Sequence, residues 1–123
     1  YNGDIESLAH HVGAEQFDLV MATGVLLYFD QPSALRLVKR MLERTRGMLA
    51  ITALAHPECD NQRLDRSEVR ESDGTWVHNV DAMIADAGGE VVARRWEGDR
   101  MVDGNTIYFL YAVPKASDAA VAV

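Results

Sequence analysis

Phe17-Asp18-Leu19-Val20-Met21-Ala22-Thr23-Gly24-Val25-Leu26-Leu27-Tyr28-Phe29 decides how this chain is read. The run from Phe17 to Ala22 is short and apolar, and such a run bounded by loops suits a strand buried on both faces. Thr23-Gly24 breaks it. The following Val25-Leu26-Leu27-Tyr28-Phe29 either continues the strand or packs back on the sheet as a loop with a helical turn. Asp30-Gln31-Pro32 then starts a helix, with Pro suited to the first helical position and Asp30 or Gln31 to the cap. Leu35, Val38, Met41 and Leu42 share one face of that helix, and Arg36, Lys39, Arg40, Glu43 and Arg44 take the other. The basic residues fall late, where the negative end of the helix dipole favours them. Gly47 is expected to end the helix.

Working outward, residues 48–54 form a second apolar run, expected as a buried strand closed by His56-Pro57. Residues 58–74 are rich in charge and read as loop, with a helical turn expected over 66–70; loops of this length are often functional. Residues 75–87 predict a second helix with Trp76, Val80, Met83, Ile84 and Ala87 on one face, stopped by Gly88-Gly89. Residues 90–96 and 105–113 read as strands joined by a polar turn, the last rich in β-formers and ended by Pro114. Residues 115–123 read as a flexible tail. Towards the N-terminus, Tyr1 to Ile5 suits the tail of a strand and a turn, and His10 and His11 suit an exposed helix or loop. Alternating strands and helices call for an α/β fold with a mostly parallel sheet flanked by helices. The short final connection makes the last strand antiparallel.

Bulk properties narrow the function. The chain has 123 residues, 48% hydrophobic and 25% charged, with a net charge of −7. One domain is expected. The negative charge disfavours nucleic acid, whose affinity comes mostly from Lys and Arg contacts to phosphate, and suits a small-molecule partner better. No apolar run approaches the about 18 residues of a membrane span, and the N-terminus has no signal-peptide pattern. The single cysteine, Cys59, excludes an internal disulfide, and a reducing, cytoplasmic setting is expected. Two acids flank Cys59, so it is not read as a thiolate nucleophile. His10, His11, Glu15, His56, Cys59, Asp60 and His78 are scattered without metal-ligand spacing, and no metal is expected.

The opening stretch, Phe17 to Tyr28, resembles the fourth-strand signature of class I methyltransferases that use S-adenosylmethionine: Phe-Asp, two hydrophobic residues, small residues, then Val-Leu-x-His. Gly3-Asp4-Ile5-Glu6-Ser7-Leu8 is similar to the acidic motif after the third strand of that family. Gly47-Met48-Leu49-Ala50-Ile51 looks like its fifth strand, and Ala87-Gly88-Gly89-Glu90-Val91-Val92 like the entry to its sixth. The order and spacing of these motifs together give the match its specificity. The resemblance implies a partial Rossmann-like methyltransferase sheet over residues 1–114, the C-terminal portion of the domain. The Gly-rich cofactor loop and the ribose-binding acid of the family would lie upstream of Tyr1.

The same resemblance implies site residues. Asp4 would accept a hydrogen bond from the adenine amino group, and the Ile5 backbone would read the ring edge. Ala22 and Thr23 would face the crevice at the carboxyl ends of the strands, where small residues let backbone approach the methionine part of S-adenosylmethionine. Tyr28 stands where the family often has His; its ring can attract a sulfonium, and the competing reading is a buried core Tyr. His56, Trp76, His78 and Asn79 are candidates for the acceptor pocket, with His56 a candidate base or a plain loop residue and Trp76 alternatively a core residue. The implied reaction is methyl transfer to a small-molecule acceptor by in-line displacement, with the protein aligning the partners. A chain without the preceding strands is expected to be inactive alone. Its unpaired sheet edge invites self-association. The rival reading is a non-catalytic methyltransferase-like module that completes its sheet with another chain.

Overall fold

The computed structural model describes residues 15–102 and 105–115, with the side chains of 96–105 left aside. Asp4, Ile5, His10, His11 and the tail beyond Lys115 lie outside the described residues. Strand β1 (Phe17–Ala22) leads through a short 3-10 turn (Leu26–Tyr28) into helix α1 (Gln31–Glu43). Strand β2 (Thr45–Leu54) follows. A small hairpin of β3 (Glu68–Val69) and β4 (Trp76–Val77) then precedes helix α2 (Val80–Asp86). Strands β5 (Gly89–Val102) and β6 (Asn105–Pro114) complete the chain.

The main sheet has the order β1-β2-β6-β5. β1 and β2 are parallel, in the register Val20↔Leu49 and Ala22↔Ile51. β6 runs antiparallel to both of its neighbours, so β5 points the same way as β1 and β2. The result is a mixed α/β sheet with an antiparallel final strand. That strand inserts between β2 and β5, and only the β1–β2 contact is a parallel pair.

α1 starts as its sequence dictates. The Asp30 side chain accepts from the Ser33 N–H at 3.0 Å, and Pro32 sits in the first turn, where no backbone donor is needed. Ala34, Val38 and Leu42 recur one turn apart and are buried, with Leu35 and Met41 half-buried beside them. They pack with Leu49, Ile51 and Ala53 of β2, Leu110 and Ala112 of β6, and Val80, Met83 and Ile84 of α2. Burying each large aliphatic side chain contributes about 1.5–3 kcal/mol, so this one layer carries most of the cohesion. Tyr108 lies in the same core, and burial pushes its hydroxyl up to about 12.

Four expectations need correction. Gly47 does not end α1: the helix stops at Glu43, Arg44 caps it, and the Thr45 hydroxyl donates to the Met41 carbonyl at 2.7 Å. Gly47 lies within β2, where a Cβ would collide with the Asp18 carbonyl oxygen, so the residue serves the close approach of β1. The helix expected over 75–87 begins only at Val80. Asn79 takes the Ala82 N–H at 3.0 Å as the cap, and Trp76 and Val77, good β-formers, pair with β3 instead. The helical turn expected over 66–70 is displaced to Asn61–Arg63, where Asp60 accepts from the Gln62 N–H at 2.9 Å. Finally, β1 is not buried on both faces. Val20 leans towards the α1 side, whereas Leu19 and Met21 on the opposite face are 56% and 59% exposed. β2 meets the expectation, with Leu49 to Leu54 buried throughout. Among the described residues both helices pack on one face of the sheet and β1 forms its edge, which explains the difference.

Candidate functional site

The parallel strands β1 and β2 end side by side, the place where open α/β sheets bind ligands. At the end of β1, Ala22 is half-buried and Thr23 exposed. Gly24 follows with φ +65°, a conformation that favours glycine, and no atom lies within 4 Å of where a Cβ would stand. Its N–H donates to the Thr52 hydroxyl of β2 at 2.7 Å. The turn is therefore tied to the neighbouring strand while its outer side stays open. Next, Leu26 plugs the core and Tyr28 points outward, 73% exposed. The core reading of Tyr28 is thereby overturned, because the short 3-10 turn buries Leu26 in its place.

The charged segment after β2 meets this turn where His78 touches the Leu26 carbonyl. Its organiser is Asn61, buried in a polar loop and missed in the sequence reading. The Asn61 amide donates to the Leu54 carbonyl at 2.9 Å and the His78 carbonyl at 2.8 Å, and its oxygen accepts from the His56 N–H at 2.8 Å. No local pattern marks this residue, since its partners are drawn from distant parts of the loop and from the end of β2. The His56 Nδ1 accepts from the Glu58 N–H at 3.1 Å, so the neutral ring carries its proton on Nε2, which faces a Glu68 carboxylate oxygen at 3.4 Å. Held this way, His56 offers a donor rather than a free lone pair.

Trp76 sits half-buried on β4, its ring nearly parallel to that of His78 at 6.3 Å. His78 is buried. Its Nε2 lies 2.9 Å from the Leu26 carbonyl and its Nδ1 2.6 Å from the Ser67 hydroxyl. Burial lowers its imidazole from the usual 6.5, against the opposing pull of the Leu26 and Phe29 carbonyls and Asp30. Asn79 is committed to structure: besides capping α2, its amide donates to the Gln62 and Leu64 carbonyls at 3.3 and 3.2 Å. The structure thus brings Ala22, Thr23 and Tyr28 to one side of the strand ends and His56 and Trp76 to the segment that follows β2. Among the described residues, no group of three or more His, Cys, Asp or Glu stands close enough to hold a metal ion. Also among them, no helix is long and apolar enough to cross a membrane.

No family model and no curated protein matches the chain. Solved structures do. The 1,6-didemethyltoxoflavin-N1-methyltransferase of Burkholderia thailandensis, with bound 1,6-didemethyltoxoflavin and S-adenosylhomocysteine, superimposes with a TM-score of 0.66 at 14% identity, over 85% of this chain and 46% of that one. Over the superimposed part, the chain shares the fold of this S-adenosylmethionine-dependent methyltransferase. Magnesium protoporphyrin IX methyltransferase from Synechocystis, with bound S-adenosylhomocysteine, gives 0.62 at 13% identity, over 94% of this chain and 50% of that one. The CcbJ methyltransferase of Streptomyces caelestis gives 0.62 at 16% identity, over 93% and 62%. The chain thus spans 46–62% of the length of these three methyltransferases.

Proposed function

We propose that this chain is part of an S-adenosylmethionine-dependent methyltransferase acting on a small-molecule acceptor, with residues 1–114 as its α/β body. The observation that carries the reading is the end of β1 beside β2, left open at Gly24, in a chain that superimposes on part of a methyltransferase. S-adenosylmethionine supplies a reactive methyl group when bound. The residues at the strand ends fit such a group: Ala22, Thr23 and Gly24 expose backbone without bulk, and Tyr28 presents an exposed ring. Asp4 and Ile5 are proposed for the adenine. His56 with Glu68, Trp76 and the Asn79 region are proposed for the acceptor side, where they orient it and exclude water. The net charge of −7 and the free Cys59 support a small-molecule partner and a cytoplasmic setting. Activity is proposed for the longer enzyme, and the chain alone is expected to bind the cofactor weakly, because the described residues supply only part of a cofactor site.

A titration with S-adenosylhomocysteine, followed by amide chemical shifts, tests this. Shifts confined to residues 4–5 and 22–28, saturating only at millimolar ligand, are expected. Micromolar affinity would remove the claim of weak binding, and shifts elsewhere or none would remove the cofactor assignment.

One observation favours a second reading, a non-catalytic module that completes its sheet with another chain: the edge strand β1 exposes Leu19 and Met21. Light scattering separates the two, since the module requires a defined dimer or heteromer.

A further inference from the structure

We infer that His78 is a positioning residue that fixes the acceptor-side loop against the cofactor-side turn, an inference that rests on the methyltransferase reading. The two walls are distant in sequence: the 3-10 turn Leu26–Tyr28 follows β1, whereas Ser67 belongs to the segment after β2. One ring touches both. A carbonyl oxygen can only accept, so the bond to Leu26 places the His78 proton on Nε2. In the neutral ring Nδ1 then accepts, and the Ser67 hydroxyl donates to it. Both ring nitrogens are thereby committed in a single tautomer.

The clamp is reinforced on each side. The Ser67 N–H donates to the Gln31 side-chain oxygen at 2.8 Å, so the same residue also grips the start of α1. The His78 carbonyl accepts from Asn61, the organiser of the loop. Trp76 lies parallel to the ring on the loop side. With the residue only 3% exposed, water has little access to replace the ring's bonds once they break. His78 is placed in contact with neither methyl donor nor acceptor. It sets the spacing between the walls that hold them, and alignment of reacting groups is sensitive to displacements of about 1 Å.

Two conservative substitutions separate the bonds. His78→Gln reaches with its amide nitrogen to the Nε2 position and keeps the donor to Leu26, while losing the acceptor for Ser67. His78→Asn keeps an acceptor near the Nδ1 position and loses the donor to Leu26. Hydrogen exchange by mass spectrometry on the full chain is expected to show about fivefold faster exchange over residues 26–29 in His78→Asn, and over residues 64–69 in His78→Gln and Ser67→Ala. Ser67 is only half-buried, so its variant keeps the test usable if a His78 variant fails to fold. Uniform acceleration along the chain, or none, overturns the inference.

A second readout goes beyond structure. S-adenosylhomocysteine affinity, read from the shifts of residues 22–28, should fall about fivefold in His78→Asn and return to within about twofold of wild type in His78→Gln. Equal loss in both variants counts against the inference. If the unaltered chain shows no such shifts, the methyltransferase reading fails while the exchange pattern still decides the clamp. If it binds and the exchange pattern is absent, the clamp fails and the reading stands.

Discussion

Asn61→Asp should be among the most damaging isosteric changes in the chain. The side chain keeps its shape, but the amide nitrogen becomes an oxygen. That nitrogen stands 2.9 Å from the Leu54 carbonyl and 2.8 Å from the His78 carbonyl. Two donor–acceptor contacts become two acceptor–acceptor contacts at 3% exposure, where water has little access. Each lost bond costs about 1 kcal/mol net, and facing a buried carboxylate with two carbonyl oxygens adds to that. The remaining bond, from the His56 N–H, gains from the added charge but is a single contact. The expected loss is about 2–4 kcal/mol, a large share of the about 5–15 kcal/mol that stabilises a domain. Urea unfolding followed by tryptophan fluorescence measures it, and Asn61→Ala serves as the comparison that removes the side chain without adding charge. Because a protonated carboxyl can donate to one of the two carbonyls, the Asp variant should regain part of the loss on acidification. If Asn61→Asp unfolds within about 0.5 kcal/mol of wild type, the loop is not organised by that amide, a margin set by what surface substitutions usually cost.

Three other outcomes are expected. Burial lowers the folded-state imidazole of His78 from 6.5, so the unfolded chain takes up the proton first; His78 contributes stability above pH 6.5 that is lost as the pH falls below it, with a slope of at most about 1.4 kcal/mol per pH unit. Unfolding measured between pH 7.5 and pH 5 should show this component in wild type and lack it in His78→Gln, and an identical pH dependence in both would refute the assignment. Gly47→Ala should destabilise by about 1–3 kcal/mol, because its Cβ meets the Asp18 backbone and β1 must move away; an unchanged melting temperature would show that β1 is not seated as described. Leu19→Lys with Met21→Lys should reduce any self-association seen by light scattering while leaving the melting temperature nearly unchanged, since both side chains are more than half exposed; a marked fall in melting temperature would mean that they are buried in the protein's own fold.

Legibility varied with the range of the forces involved. Asp30 and Pro32 announce the start of α1 because capping is a contact over three residues, and the spacing of its apolar side chains gives its inner face. The same locality misleads at Gly47, where the constraint is the Asp18 carbonyl of a neighbouring strand rather than a helix end. It misleads again at Trp76: the apolar spacing is compatible with a helix, yet β3 supplies a strand partner and Asn79 delays the helix.

The candidate site divides along the same line. Ala22 ends β1, Thr23 follows it and Tyr28 lies in the turn just beyond, so their place near the strand end could be read in advance, although the exposure of Tyr28 could not. By itself the sequence determined the order of the four main-sheet strands and the two helices, the antiparallel final strand and the resemblance of the strand-end motifs, since these depend on neighbours along the chain; the β3–β4 hairpin it did not show. Only the tertiary structure decided that β6 inserts between β2 and β5, that β1 is exposed on one face, and that Asn61 and His78 are the buried hubs of the loop. A buried polar side chain is defined by partners far away in sequence, His78 and Leu26 being 52 residues apart, and a local pattern holds no trace of such a pairing.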